Sequence, residues 1–200
     1  MKEILPGVFT WSRFSEEKQY DFNGWYVASG AVRTVVDPPP CSEEVLAEIE
    51  RRGGPGAIVL TNRDHTRAAD VFAARFRAPI LIHQADAPLV TVRIGGVFRH
   101  GEELPGGLRA VRVADAKSPG ECGLLLRAAN AIILGDALIG VPAGRLSMLP
   151  ASKFADPAKA REGVRALLDH PFDAVLVGDG APIPRGGRRA VEEFLARTEG

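Results

Sequence analysis

A short apolar run, residues 57–60 (Ala-Ile-Val-Leu), lies between two stretches of helical periodicity, and this arrangement constrains the fold more than any other feature of the 200-residue sequence. Before it, Ser42 has N-cap chemistry and Glu43 and Glu44 suit a first helical turn. Val45, Leu46 and Ile49 then share one face until Gly53-Gly54 ends the helix. After it, a helix over residues 66–76 would bury Ala68, Val71, Phe72 and Phe76, and a second apolar run follows at 79–82. Apolar runs this short, with helices on both sides, predict parallel strands buried on both faces. Residues 42–82 therefore predict a helix–strand–helix–strand unit with parallel strands.

The flanking segments predict a second kind of sheet. Residues 8–11 form a strand candidate and 12–20 a polar loop. The aromatic and β-branched stretches 24–29 and 32–36 predict a hairpin turning at Ser29-Gly30, stopped by Asp37-Pro38-Pro39-Pro40. Residues 108–113, 123–126 and 131–134 predict an antiparallel meander, with Ala129-Asn130 turning the last pair. Residues 140–155 are a Gly/Pro-rich loop. Asp156-Pro157 starts a helix with apolar face Ala160, Val164, Leu167 and Leu168. A strand at 174–177 and a helix at 187–197 (Val191, Phe194, Leu195) complete the chain. With no repeat and no low-complexity linker, residues 1–200 read as a single domain. Strands followed by helices in each half predict an αββα sandwich: two mixed β-sheets flanked by helices. Strand-end loops carrying Asp64-His65, Asp136 and Asp179 would converge at one edge.

Charge and composition exclude several functions. Twenty-five basic and twenty-five acidic residues cancel, so no net field favours nucleic acid, and no basic stripe is evident. Two cysteines, Cys41 and Cys122, exclude a disulfide framework or a cysteine-rich zinc site. No apolar run approaches a membrane span, and residues 1–6 do not resemble a signal peptide; a cytoplasmic location is expected.

The order of motifs resembles the metallo-β-lactamase fold superfamily over almost the whole chain. The matching pieces are Val36-Asp37-Pro38, Leu60-Thr61-Asn62-Arg63-Asp64-His65, Ser118-Pro119-Gly120-Glu121, Leu134-Gly135-Asp136 and Val177-Gly178-Asp179-Gly180. The first metal motif of that family is Thr-His-x-His-x-Asp-His. Here the stretch is two residues shorter: Asp64-His65 keeps its end, and Asn62-Arg63 stand where histidines would lead. Lys117 falls at the next His position, Asp136 matches the bridging Asp, and Asp179 replaces the last His. The resemblance thus implies loss of the three-His position and survival of four ligands, Asp64, His65, Asp136 and Asp179, for one divalent metal (Mn, Fe or Zn).

Three converging carboxylates cannot all stay ionised without cations. One solution is a metal, which implies a hydrolase of ester, thioester or phosphoester type, with Asp64 and Lys117 as catalytic candidates. The other is internal pairing, with Lys117 and Arg63 carrying the charge, in a non-catalytic relative that binds an anionic small molecule or a protein partner. Local readings compete at each position. Asp64 could be an N-cap for the following helix and His65 a partly exposed helix-start residue. Asp136 and Asp179 sit beside glycines in turn chemistry, and Asp37 supports loop structure through backbone hydrogen bonds. Substrate and oligomeric state are not legible.

Overall fold

A computed structural model describes residues 1–197. Seven strands form the first sheet in chain order: β1 (Lys2–Leu5), β2 (Val8–Ser15), β3 (Tyr20–Val27), β4 (Thr34–Val36), β5 (Ala57–Val59), β6 (Ile80–His83) and β7 (Gly96–Phe98). Pairs up to β3–β4 are antiparallel and pairs from β4–β5 onward are parallel. The second sheet comprises β8 (Glu103–Leu104), β9 (Leu108–Arg112), β10 (Cys122–Leu126), β11 (Ala131–Leu134) and β12 (Ala174–Val177), in spatial order β12-β11-β10-β9-β8. Only its β11–β12 pair is parallel. Helices α1 (Glu43–Arg51) and α2 (Ala69–Phe76) follow β4 and β5; α3 (Pro157–Arg165) and α4 (Gly187–Ala196) flank β12 in sequence.

Three apolar clusters account for four layers. One joins the facing sides of the sheets: Trp25, Val36 and Val59 from the first meet Leu124, Leu126, Ile133 and Leu176 from the second. A second packs α1 and α2 on the outer face of the first sheet through Leu46, Ile49 and Phe72 against Trp11, Tyr26, Val35 and Ile58; Trp11 stacks on Phe72 at 5.4 Å. The third packs α3 and α4 on the second sheet, with Val164, Val191 and Phe194 against Ile132, Leu134, Val175 and Val177. Strand side chains point alternately to opposite faces, so β5 sends Val59 inward and Ile58 outward. Every residue of that strand is buried, as its apolar run requires.

The expected αββα sandwich of two mixed sheets is the observed fold, and the parallel unit and the meander lie where expected. Three local expectations need correction. Residues 12–20 are not all loop: β2 runs on to Ser15 and β3 begins at Tyr20, forming a long ribbon with a short turn. The helix expected from residue 66 begins at Ala69, preceded by a 3-10 turn at Arg63–His65. Val71 is half exposed instead of buried, because it lies off the helix face that buries Ala69 and Phe72. The helix at Asp156-Pro157 forms as expected, with the Lys159 N–H donating to Asp156 Oδ1 at 3.1 Å. Among the described residues no helix is long and apolar enough to cross a membrane.

Gly163 gives a test of the α3 packing. A β-carbon there would stand 2.1 Å from the Ala114 carbonyl oxygen. Gly163→Ala would gain about 1 kcal/mol of helix propensity in an open helix. Here backbone must shift to admit the methyl, so a net destabilisation of about 1–3 kcal/mol is expected by urea denaturation.

Candidate functional site

The loops after β5, β11 and β12 meet at one edge of the sandwich, where they carry Asp64-His65, Asp136 and Asp179. These strands are packed in the core, so the loops leave fixed points. The β5 loop is held by Asp37, a buried residue with φ 47 just after β4. Its carboxylate accepts the Thr61 N–H at 2.8 Å, the Thr61 hydroxyl, and His65 Nδ1–H at 2.8 Å. Its expected role in loop structure is therefore present, and it also orients the imidazole. The His65 ring lies against Gly178, where a β-carbon would come within 2.7 Å of Cε1; only glycine leaves room for it.

His65 is buried, contrary to the partly exposed helix-start reading. Its Nε2 points toward Asp136 Oδ1 (3.5 Å) and Asp179 Oδ1 (4.0 Å). One ligand atom each from His65, Asp136 and Asp179 lies within 4.8 Å of the others, so the three could hold a metal ion. Asp64 stands apart from this trio. Its carboxylate accepts from Lys117 Nζ at 2.9 Å, and the same ammonium donates to Asp136 Oδ2 at 2.8 Å. Nor is Asp64 the N-cap: Asn62 caps the 3-10 turn, its side-chain oxygen accepting the Asp64 N–H at 2.8 Å.

Two expected pocket residues are corrected. Asn62 is completely buried, below the site, and Arg63 reaches only to 4.0 Å from Asp64. The cation facing Asp179 is Arg67, which ion-pairs with its Oδ1 and approaches His65 Nε2 at 3.2 Å. Its guanidinium lies 4.4 Å over the Phe22 ring and donates to the Gly178 carbonyl at 3.4 Å. The 3-10 turn ends at His65, and Arg67, two residues on, reaches Asp179 while Arg63 stays beside Asp64. Arg67 itself takes φ 34, an unusual value for a non-glycine residue. The sequence held one clue. Counted from Thr61 without the two-residue deletion, the last His of the family motif falls on Arg67.

Three further residues were not among the expected site residues. Buried Asp86 accepts the N–H groups of Arg63 (2.9 Å) and Gly120 (2.8 Å) and the Ser118 hydroxyl, tying the Asp64 loop to the Lys117 loop. Asn23 on β3 donates to the carbonyls of Val177 (2.9 Å) and Gly180 (2.7 Å), holding the turn that carries Asp179. Glu121 is fully buried below Asp136; one oxygen accepts the Ala137 N–H at 3.2 Å and the other has no partner. Burial, and then the charge of Asp136, hold its carboxyl well above the usual range.

The remaining charges nearly balance. Asp37, Asp64, Asp136 and Asp179 face Lys117, Arg67 and His65. Burial and the Arg67 charge press the imidazole's pKa down, but Asp37 and Asp136 outweigh them and raise it to about 10. For Asp136 burial works upward, while His65 and Lys117 pull harder and hold it far below the ordinary range. Burial presses the Lys117 ammonium down, and Asp136 and Asp64 raise it on balance. The cavity above has a volume of about 490 Å³, with Tyr20, Phe22, Ile139, Leu149 and Pro150 on its walls and Lys18 and Lys153 among its charged lining.

The sequence profile described as the metallo-β-lactamase superfamily matches residues 1–198. The chain belongs to that superfamily. Among solved structures, TTHA1623 in a di-iron-bound form is 23% identical with a TM-score of 0.69, covering 90% of this chain and 96% of that one. A metallo-β-lactamase from Pontibacter korlensis is 14% identical with a TM-score of 0.78, covering 98% of each chain. At these identities the likeness is one of fold. A comparison with curated protein sequences gave no significant match.

The residues present do not fit a pair of metal ions. Lys117 already bridges Asp64 and Asp136, and the guanidinium of Arg67 sits on Asp179. A single ion at His65, Asp136 and Asp179 would have to displace Arg67 and remove the proton from Nε2.

Two outcomes test this electrostatic arrangement. The folded His65 value, about 10, lies above the ordinary 6.5. Its contribution to stability is therefore complete below 6.5 and is lost as pH rises toward 10. Unfolding free energy should decline across that window in urea titrations, and Asp37→Asn should flatten the decline. Asp86→Ala, which strands three donors, should cost roughly 3 kcal/mol or more in the same assay.

Proposed function

We propose that this chain is a small-molecule-binding member of the superfamily in which Lys117 and Arg67, and not metal ions, supply the positive charge of the site. The observation that carries this reading is the Lys117 ammonium, 2.8 Å from Asp136 and 2.9 Å from Asp64. A cation fixed between two carboxylates removes the repulsion that a metal would otherwise relieve. The Arg67–Asp179 pair does the same for the third carboxylate.

The ligand class follows from the donors and walls that remain. An ammonium has three N–H donors. On Lys117 one of them goes to Asp136 and the ammonium also ion-pairs with Asp64, so a donor remains for a ligand oxygen. Phe22, Ile139, Leu149 and Pro150 offer an apolar wall, and Lys153 adds positive charge, whereas Lys18 is paired with Glu17 at 2.7 Å. A cavity of about 490 Å³ suits a small organic molecule. An organic anion with an apolar body matches this lining, and the site provides no activated nucleophile of its own.

A second reading is favoured by the clustering of His65, Asp136 and Asp179. It is a hydrolase of an ester, thioester or phosphoester in which one Mn, Fe or Zn ion would be held by these three residues. In that reading the ion supplies Lewis-acid chemistry, and Lys117 donates to the developing oxyanion.

Elemental analysis of protein purified without chelator separates the two readings. The charge-substituted site predicts far less than one ion per chain and a melting temperature unmoved by EDTA or by added Mn, Fe or Zn. Stoichiometric metal with chelator-sensitive melting would overturn it in favour of the hydrolase. Lys117→Ala leaves buried Asp136 without its lysine, so a loss of about 2–3 kcal/mol is expected in urea denaturation.

A further inference from the structure

Arg67 is unlike the other arginines of this chain. It combines a left-handed backbone (φ 34), a largely buried guanidinium, an ion pair to a buried carboxylate and a contact with an imidazole nitrogen. A strained backbone persists only where surrounding interactions hold it. Here those are Phe22 beneath the guanidinium, the Gly178 carbonyl and Asp179. We propose that Arg67 is an internal cation held where a metal ion would bind, and that His65, Asp136 and Asp179 form a latent single-metal site that opens when Arg67 is removed.

The geometry of the three groups supports this. Donor atoms around a tetrahedral ion at ~2 Å stand ~3.3 Å apart. His65 Nε2 is 3.5 Å from Asp136 Oδ1 and 4.0 Å from Asp179 Oδ1, and all three donor atoms lie within 4.8 Å. Small side-chain movements would close that set. The imidazole is already oriented, because Asp37 holds Nδ1 and turns Nε2 to the trio. The Asp179 turn is anchored by Asn23. What prevents coordination is the guanidinium, which takes the Asp179 oxygen and stands 3.2 Å from Nε2. Lys117 does not compete for this position, because it engages the other oxygen of Asp136, Oδ2. Removing Arg67 therefore deletes one positive charge and frees two of the three donors, and a divalent cation restores the balance.

The inference rests on the charge-substituted reading of the site, and its test separates the two. Wild type, Arg67→Ala, Arg67→Met and the double variant Arg67→Ala/Asp179→Asn are stripped with EDTA, dialysed and titrated with ZnCl2 and MnCl2. Melting temperature, calorimetry and bound metal per chain are recorded. Arg67→Met keeps an unbranched side chain over Phe22 if the alanine variant folds poorly. Without metal, both single variants should melt below wild type. With one ion at 100-fold excess over its Kd, they should recover on the order of 5–10 °C and retain one ion per chain. Wild type and the double variant should not respond. Single variants that fold but retain no metal would overturn the latent site, as would variants that remain unfolded with metal present. Stoichiometric metal in wild type would instead overturn the charge-substituted reading; the latent site would then stand only if Arg67→Ala binds at least about tenfold tighter, about 1.4 kcal/mol.

Discussion

Like charges brought to one edge of a β-sandwich must be neutralised, and the candidate site is built around that requirement. Asp64, Asp136 and Asp179 leave different strands and meet within one cavity, with Asp37 just behind His65. In water such groups would cost little. Beside a packed core their repulsion is less screened, and each needs a partner. Lys117 spans two carboxylates, Arg67 takes the third, and His65 lies between Asp37 and Asp136. The cations are therefore part of the architecture of the site as much as the carboxylates are.

Neutralisation works only if the loops arrive in register, and buried polar groups fix that register. Asp37 ties the loop after β5 to the end of β4, while Asp86 ties the same loop to the one carrying Lys117. The Cys122 N–H donates to the Thr61 carbonyl at 2.9 Å, a direct backbone link between the two sheets. Asn23 completes the frame by fixing the Asp179 turn from β3. A hydrogen-bonded buried carboxylate is costly to disturb, because loss of one partner strands the rest. The site is thus rigid below and open above, where the apolar wall and exposed lysines face the cavity.

Membership of the superfamily and the arrangement around the cavity carry different information. The profile match and the structural likeness concern the whole chain: sheets, crossovers and strand-end loops. The charge pattern belongs to a handful of side chains and varies without altering those layers. The near partners of Asp136 are an ammonium and an imidazole. Scaffold and chemistry can diverge in this way because the core clusters include none of the charged side chains of the site.

Much of the fold was legible in the sequence because burial leaves a periodic signature. The run at 57–60 with helices on both sides specified parallel strands, the Asp156-Pro157 start specified a helix, and the short apolar stretches of the second half, with a turn at Ala129-Asn130, specified a meander. Asp64-His65, Asp136 and Asp179 were legible as strand-end groups that could converge. Which cation meets which carboxylate was not. That depended on the path of the chain past the 3-10 turn, where Arg67 takes a left-handed backbone and meets Asp179 while Arg63 stays outside. Asp86, Asn23 and Glu121 were equally hidden, since their partners lie far away along the chain: Asp86 to Ser118 spans 32 residues and Asn23 to Gly180 spans 157. By itself the sequence determined the layers and the edge where chemistry-bearing loops gather, because hydrophobic periodicity is local. Only the tertiary structure decided how the charges at that edge are paired, because pairing is set by distances between segments that the chain order does not contain.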